Sequence, residues 1–247
     1  MKYDFDKPAS NEIWYTNGSV TEPTVPYKID NGISLVSNLY DSGKKCWVIK
    51  FDRDVTSIGD TAFCRCTNLT NIIIPDSVTS LGAEVFWGCE SLKSIVIPES
   101  VKSIRHLAFS GCVNLEKVVV PNGLVKIDSG TFSKCTNLTD VTIPNSVIEI
   151  DARAFEYCKN LKSIVIPESV TSIGYMAFYN NTSLTKIYCK PMTPPTVGTY
   201  KCYWDGFAYY KQGEYTINRK IYVHKDVVEE YKTAFGWRQY ADNIVGC

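Results

Sequence analysis

The sequence predicts a repeat solenoid, a coil of equal turns with a parallel β-sheet along one side. Three observations predict it. A 23-residue pattern, approximately V-x-S-I-x-x-x-A-F-x-x-C-x-N-L-x-x-I-x-I-P-x-S, is written six times without insertion, from Val55, Val78, Val101, Leu124, Val147 and Val170. A fixed period in this range marks stacked supersecondary units that touch mainly their neighbours. The Leu-x-x-Ile-x-Ile-Pro part of each unit alternates with the period of two that a half-buried strand requires. Lastly, one such unit buries too little apolar surface to offset the entropy of ordering it, so the copies must stack.

Composition fits one elongated domain and excludes several functions. Of 247 residues 45% are hydrophobic, ample for a core, and Lys plus Arg balance Asp plus Glu at 26 each. That balance gives no global field favouring nucleic acid or an anionic membrane. No apolar run reaches the roughly 18 residues of a bilayer span. Met1 to Ser10 is charged and aromatic, unlike a signal-peptide core, so either the chain stays in the cytoplasm or a leader is removed upstream of this numbering.

In chain order, residues 1–54 read as an amino-terminal β cap, needed because the first repeat would otherwise present a bare sheet edge. Ile13-Trp14-Tyr15 and Tyr27-Lys28-Ile29 are strand formers followed by Asn17-Gly18 and Asn31-Gly32. Ile33 to Tyr40 and Cys46 to Phe51 flank Asp41-Ser42-Gly43 and predict a hairpin. The register counted backwards makes the second of these strands a degenerate rung zero, stacked beneath the first repeat. Residues 55–192 hold the six repeats. In the first five, the strand (Ile95 and Ile97 in, Ser94 and Val96 out) ends at a Pro, for example Pro98, while in the sixth Tyr188-Cys189-Lys190 replaces Val-Ile-Pro. A second extended piece, Val-x-x-Ile, follows. Ala-Phe-x-x-Cys spaces two apolar residues three apart, which predicts a single helical turn facing inward. Residues 193–247 contain an aromatic insertion and a cap. Ile221 and Val223 resume the inward pair 34 residues after Ile187, 11 more than one repeat. Asp226 is expected to cap a helix with Val228, Tyr231 and Phe235 on one face and Gly236 as its stop.

The cysteines follow the repeat. Cys66, Cys89, Cys112, Cys135 and Cys158 recur every 23 residues without close pairs or a His companion, unlike zinc ligands. They read as a buried ladder of small reduced thiols.

These units, such as Cys89 to Ile104 with the following Ala108-Phe109, closely resemble leucine-rich repeats of the BspA type, also called the Treponema pallidum type. The resemblance covers 55–192 and extends to Asn11 to Tyr15, to Ile221 to Lys232, to Gly236-Trp237 and to Ile244 to Gly246. His224 stands where that family more often has Pro. It implies a curved leucine-rich-repeat coil, right-handed, with a parallel β-sheet face. It further implies a cell-surface or secreted protein that binds other proteins or host matrix, with no catalytic residues to carry over.

For chemistry the sequence offers little. His106 and His224 have no motif partners, no nucleophile or phosphate-loop motif occurs, and Asp76, Glu99 and Glu168 recur as a row rather than a converging pair. No catalytic, cofactor or metal site is expected. Two binding surfaces remain. The first is the outward strand row Ile73, Val96, Val119, Thr142, Val165 and Tyr188, flanked by Asn71, Ser94, Lys117, Asp140, Ser163 and Lys186. It is either an apolar interaction stripe or a by-product of strand propensity. The second is the insertion, where Tyr200, Tyr203, Trp204, Phe207, Tyr209, Tyr210 and Tyr215 crowd together. These aromatics either form a platform for a sugar or pack a loop on its own solenoid. The leading expectation is a non-enzymatic protein-binding, adhesin-like module. A glycan-binding module and a self-associating surface scaffold are the alternatives.

Overall fold

The computed structural model describes residues 7–19, 33–198 and 219–247 in full and the backbone of 209–211 and 214–216. The repeats wind into a coil with three sides. Strands Asn71–Ile73, Ser94–Val96, Lys117–Val119 and Asp140–Thr142 form one parallel ladder. Ser163–Ile166, Lys186–Cys189, Lys220–Val223 and Ile244–Gly246 form a second along the same side. The pairings run in steps of one repeat, Ile72 beside Ile95 and Asp140 beside Lys117, so the predicted register holds. Alternation holds too: Ile95 and Ile97 are buried, Ser94 and Val96 exposed. Each Pro turns the chain, and the Pro98 carbonyl accepts the Val101 N–H at 3.0 Å. Here a repeated Ser ties coils together, since Ser100 Oγ donates to the Val78 carbonyl at 2.6 Å and Ser169 Oγ to that of Val147 at 2.6 Å.

The second side carries two-residue strands such as Ser80–Leu81 and Ser103–Ile104, also parallel. The third side departs from expectation. Ala-Phe-x-x-Cys forms no helical turn but a run of β-turns broken by residues of positive φ, two per unit: Glu84 (φ 55) and Gly88 (φ 69), then Leu107 (φ 58) and Gly111 (φ 77). A helical turn would aim its donors along its own axis. The left-handed residues aim them at the next coil instead, so Glu84, Phe86 and Gly88 donate to the carbonyls of His106, Ala108 and Ser110 at 3.0, 2.8 and 2.8 Å. Phe and Cys still point inward, as predicted.

Inside, the six Phe rings from Phe63 to Phe178 stack at centroid spacings of 5.3–5.4 Å. Beside them the thiols form their own ladder. Cys89, Cys112, Cys135 and Cys158 donate S–H to the carbonyls of Phe63, Phe86, Phe109 and Phe132 at 3.0–3.2 Å. Burial pushes the Cys66 thiol up to about 11 and its fellows further, which keeps these groups protonated. Where the ladder would continue, buried Asn181 accepts the Cys158 N–H on its Oδ1 at 2.7 Å.

The ends bring corrections. The hairpin Leu35–Asp41 and Cys46–Phe51 is present, its turn held by Asp41 Oδ1 accepting from Gly43 and Lys44. Cys46–Phe51 is not the rung beneath the first repeat, however. Glu12–Thr16 lies between them, antiparallel to both, pairing Trp14 with Val48 on one side and Ile73 on the other. Its own inward residues Ile13 and Tyr15, both buried, win that edge. Tyr27-Lys28-Ile29 and Asn31-Gly32 lie outside the described residues. At the other end Ile221 and Val223 are buried as expected. Asp226 does not cap the helix: the His224 imidazole Nδ1 accepts the Asp226 N–H at 3.4 Å, ahead of a 3₁₀ turn, and the α-helix is only Val228–Thr233. Phe235 is 71% exposed because Ala234 is extended, which carries Phe235 off the helix face. Gly236 (φ 84) then turns the chain so that Trp237 is buried in its place. Tyr231 Oη and Trp237 Nε1 donate to the carbonyls of Pro191 and Pro195 at 2.8 and 2.6 Å, fastening the cap to the segment where the repeat stops.

Three outcomes follow from this packing. Gly174→Ala places a Cβ 2.3 Å from the Ala152 backbone N, with no flexible side chain to yield, and lowers stability by about 1–3 kcal/mol in denaturant unfolding. Phe109→Ala opens a gap in the ring stack and costs about 3–5 kcal/mol in the same assay. Iodoacetamide at neutral pH, read by peptide mass spectrometry, labels exposed Cys247 in the native chain but reaches Cys112 and Cys135 only after unfolding.

Candidate functional site

The outer face of the repeat sheet is built by alternation alone. Because each strand follows a buried Leu and alternates with a period of two, the residue between its two inward apolar positions must face outward. Val96, Val119 and Val165 are accordingly 78%, 60% and 43% exposed, and Thr142 is exposed. Ile73 and Tyr188 are half-buried. All six predicted row residues thus lie on one face in register, with Lys117, Asp140 and Lys186 exposed beside them.

The pairing extends this row past the repeats at both ends. Ile73 pairs with Trp14, Trp14 with Val48 and Val48 with Leu39. At the far end Tyr188 pairs with Tyr222, and Tyr222 with Val245. The row therefore crosses eleven strands, roughly 48 Å at the usual strand spacing. Near its amino-terminal end the row is interrupted, since the Lys44 ammonium sits 4.6 Å from the Trp14 ring centroid and Trp14 is buried, while Leu39 beyond it is exposed. Toward the other end Tyr188 and Tyr222 stack with centroids 4.9 Å apart, and Lys186 pairs with Lys220 beside them. Sequence reading missed Tyr222 and Lys220. Their signal was present: with Ile221 and Val223 facing in, Lys220 and Tyr222 had to face out.

Of the second predicted surface, Tyr200, Tyr203, Trp204 and Phe207 lie outside the described residues. Tyr209, Tyr210 and Tyr215 belong to a short antiparallel hairpin, Tyr209–Lys211 with Glu214–Thr216, whose side chains also lie outside them. The carboxylate row does not converge: Asp76 pairs with Lys7, while Glu99 accepts from the Asn122 backbone and side-chain amides at 2.9 and 3.2 Å. Among the described residues no His, Cys, Asp and Glu cluster could hold a metal ion, and no helix is long and apolar enough to cross a membrane.

Known proteins agree with this architecture. Residues 56–185 match the BspA type leucine rich repeat region in six copies. The structure of a Treponema pallidum leucine-rich repeat protein is 33% identical, covering 56% of this chain and 69% of its own, with a TM-score of 0.53. A leucine-rich cell surface protein of Faecalibacterium prausnitzii A2-165 is 29% identical over 68% of this chain, with a TM-score of 0.48, and this chain spans about half (51%) of its length. Among curated proteins none matches the sequence. With six matched copies spanning more than half of its residues, each built as one coil of the stack, the chain belongs to the BspA type leucine-rich repeat family.

Proposed function

We propose that this chain is a non-enzymatic protein-binding module that acts outside the cell and holds a protein partner, of the host matrix or surface class, against the outer face of its repeat sheet. The observation that carries the reading is the open stretch of the apolar row, from Ile73 to Val245, side by side in register. Strand propensity explains single exposed valines, but a contiguous stripe of them offers more apolar surface than isolated residues and marks an interaction site. Tyr188 and Tyr222 supply rigid aromatic area of the kind that dominates interface energetics, and Lys186 and Lys220 favour an acidic rim on the partner. Membership of a repeat family whose coils serve as binding scaffolds supports the same reading.

Surface plasmon resonance of the chain against a panel of purified extracellular-matrix proteins tests this. Val119→Asp, at an exposed position, weakens the strongest interaction at least tenfold with an unchanged melting temperature, and Tyr222→Ala, at a half-buried one, weakens it at least tenfold. Equal binding by wild type and both variants overturns the choice of face. A change confined to the sedimentation coefficient makes the face a self-association surface instead.

A further inference from the structure

The β-turn wall carries a groove, on another side of the coil from the sheet, that nothing above uses. Its volume is about 620 Å³, within the range of roughly 300–1,000 Å³ typical of small-ligand sites, and its lining comes from four consecutive units, from Trp87 to Glu156. Its origin is legible in one column of the repeat. The residue after the core Phe is Cys64, Trp87, Ser110, Ser133, Glu156 and Tyr179 in successive units, so two serines lie low between bulkier neighbours. Gly130 continues the floor, where a Cβ would meet Leu107 Cδ2 at 2.5 Å.

Both ends of the groove are built. Arg65 lies over the Trp87 ring at 4.6 Å. Arg65 belongs to the preceding coil, and Trp87 itself lines the groove. At the far end Arg153 lies over Tyr175 at 5.9 Å. Along one side Lys126 Nζ holds Asp151 at 2.8 Å, Glu149 at 3.1 Å and Asp128 at 3.7 Å. Two of these carboxylates, Asp128 and Asp151, line the groove, already fixed in place. On the floor Ser133 Oγ donates to Glu156 Oε2 at 3.4 Å, and burial pushes the Glu156 carboxyl up. Ser110 is only 4% exposed and lines the groove.

The lining selects the ligand. An apolar molecule would strip water from hydroxyls and carboxylates and return nothing. A free anion would meet three carboxylates against two exposed cations, Lys134 and Arg153. A sugar suits both parts of the site: its C–H face lies on an indole, and its hydroxyls donate to carboxylates and accept from Lys, Arg and Ser. We propose that this groove binds a saccharide, laid along the coil axis with one ring against Trp87 and hydroxyls on Ser110, Asp128 and Asp151.

A glycan array of neutral and acidic oligosaccharides, probed with the full chain and followed by titration calorimetry of the best binder, tests this. Trp87→Ala weakens that binding at least tenfold, while Val119→Asp on the sheet face leaves it within twofold. If Trp87→Ala lowers the melting temperature, Arg153→Ala, at an exposed position, takes its place and weakens binding at least threefold. The proposal falls if no oligosaccharide binds, if Trp87→Ala and Arg153→Ala both bind as wild type does, or if Val119→Asp abolishes the interaction.

Discussion

Everything in this molecule depends on backbone hydrogen bonds that run from coil to coil rather than within a coil. Lys102 donates to Thr79 on one side, Phe86 to Ala108 on another, and paired strands exchange bonds on the third. Each bond joins residues about one repeat apart, so the period must stay constant wherever coils stack. Side-chain ladders inherit the same spacing: the Phe rings, the thiols on Phe carbonyls, and half-buried Asn137 and exposed Asn160, whose Nδ2 atoms donate to the Oδ1 atoms of Asn114 and Asn137 at 3.1 and 3.3 Å. Around the 11 extra residues, the second side still adds Thr196–Val197 beside Ser172–Ile173, and the repeat sheet resumes at Lys220, in register with Lys186.

This constraint explains what could be read without a structure. Inward residues of every repeat, the Pro stops, the hairpin at Asp41 and the resumed strand at Ile221 are written in local periodicity, and all are found where expected. The turn wall was misread because a spacing of three between Phe and Cys is shared by a helical turn and by paired β-turns. Only the direction of the N–H groups separates them, and that depends on the next coil. The place of Glu12–Thr16 was hidden for a similar reason. Two short alternating strands compete for one edge, and the winner is decided by packing rather than by either sequence. The cap helix shows a third kind of failure, since one extended residue, Ala234, replaces Phe235 by Trp237 in the core.

The two surfaces discussed above differ in the same terms. The sheet row was legible because it is a single column of one strand position, and only its extension through Tyr222 required the pairing to be known. The groove depends on differences between neighbouring coils in one column, small beside large. A consensus averages such differences away. In a repeat protein the conserved columns hold the chain together, and the departures from them shape its recognition surfaces.

Parallel stacking is also a templating process, in which each layer dictates the polarity and spacing of the next, and nothing in the repeat itself says when to stop. In-register stacks of this kind share their logic with fibres. The reversed strand Glu12–Thr16 ends the propagation by breaking the parallel order of the stack, and the hairpin beyond it continues antiparallel, so no layer past Ile73 repeats the polarity of a coil.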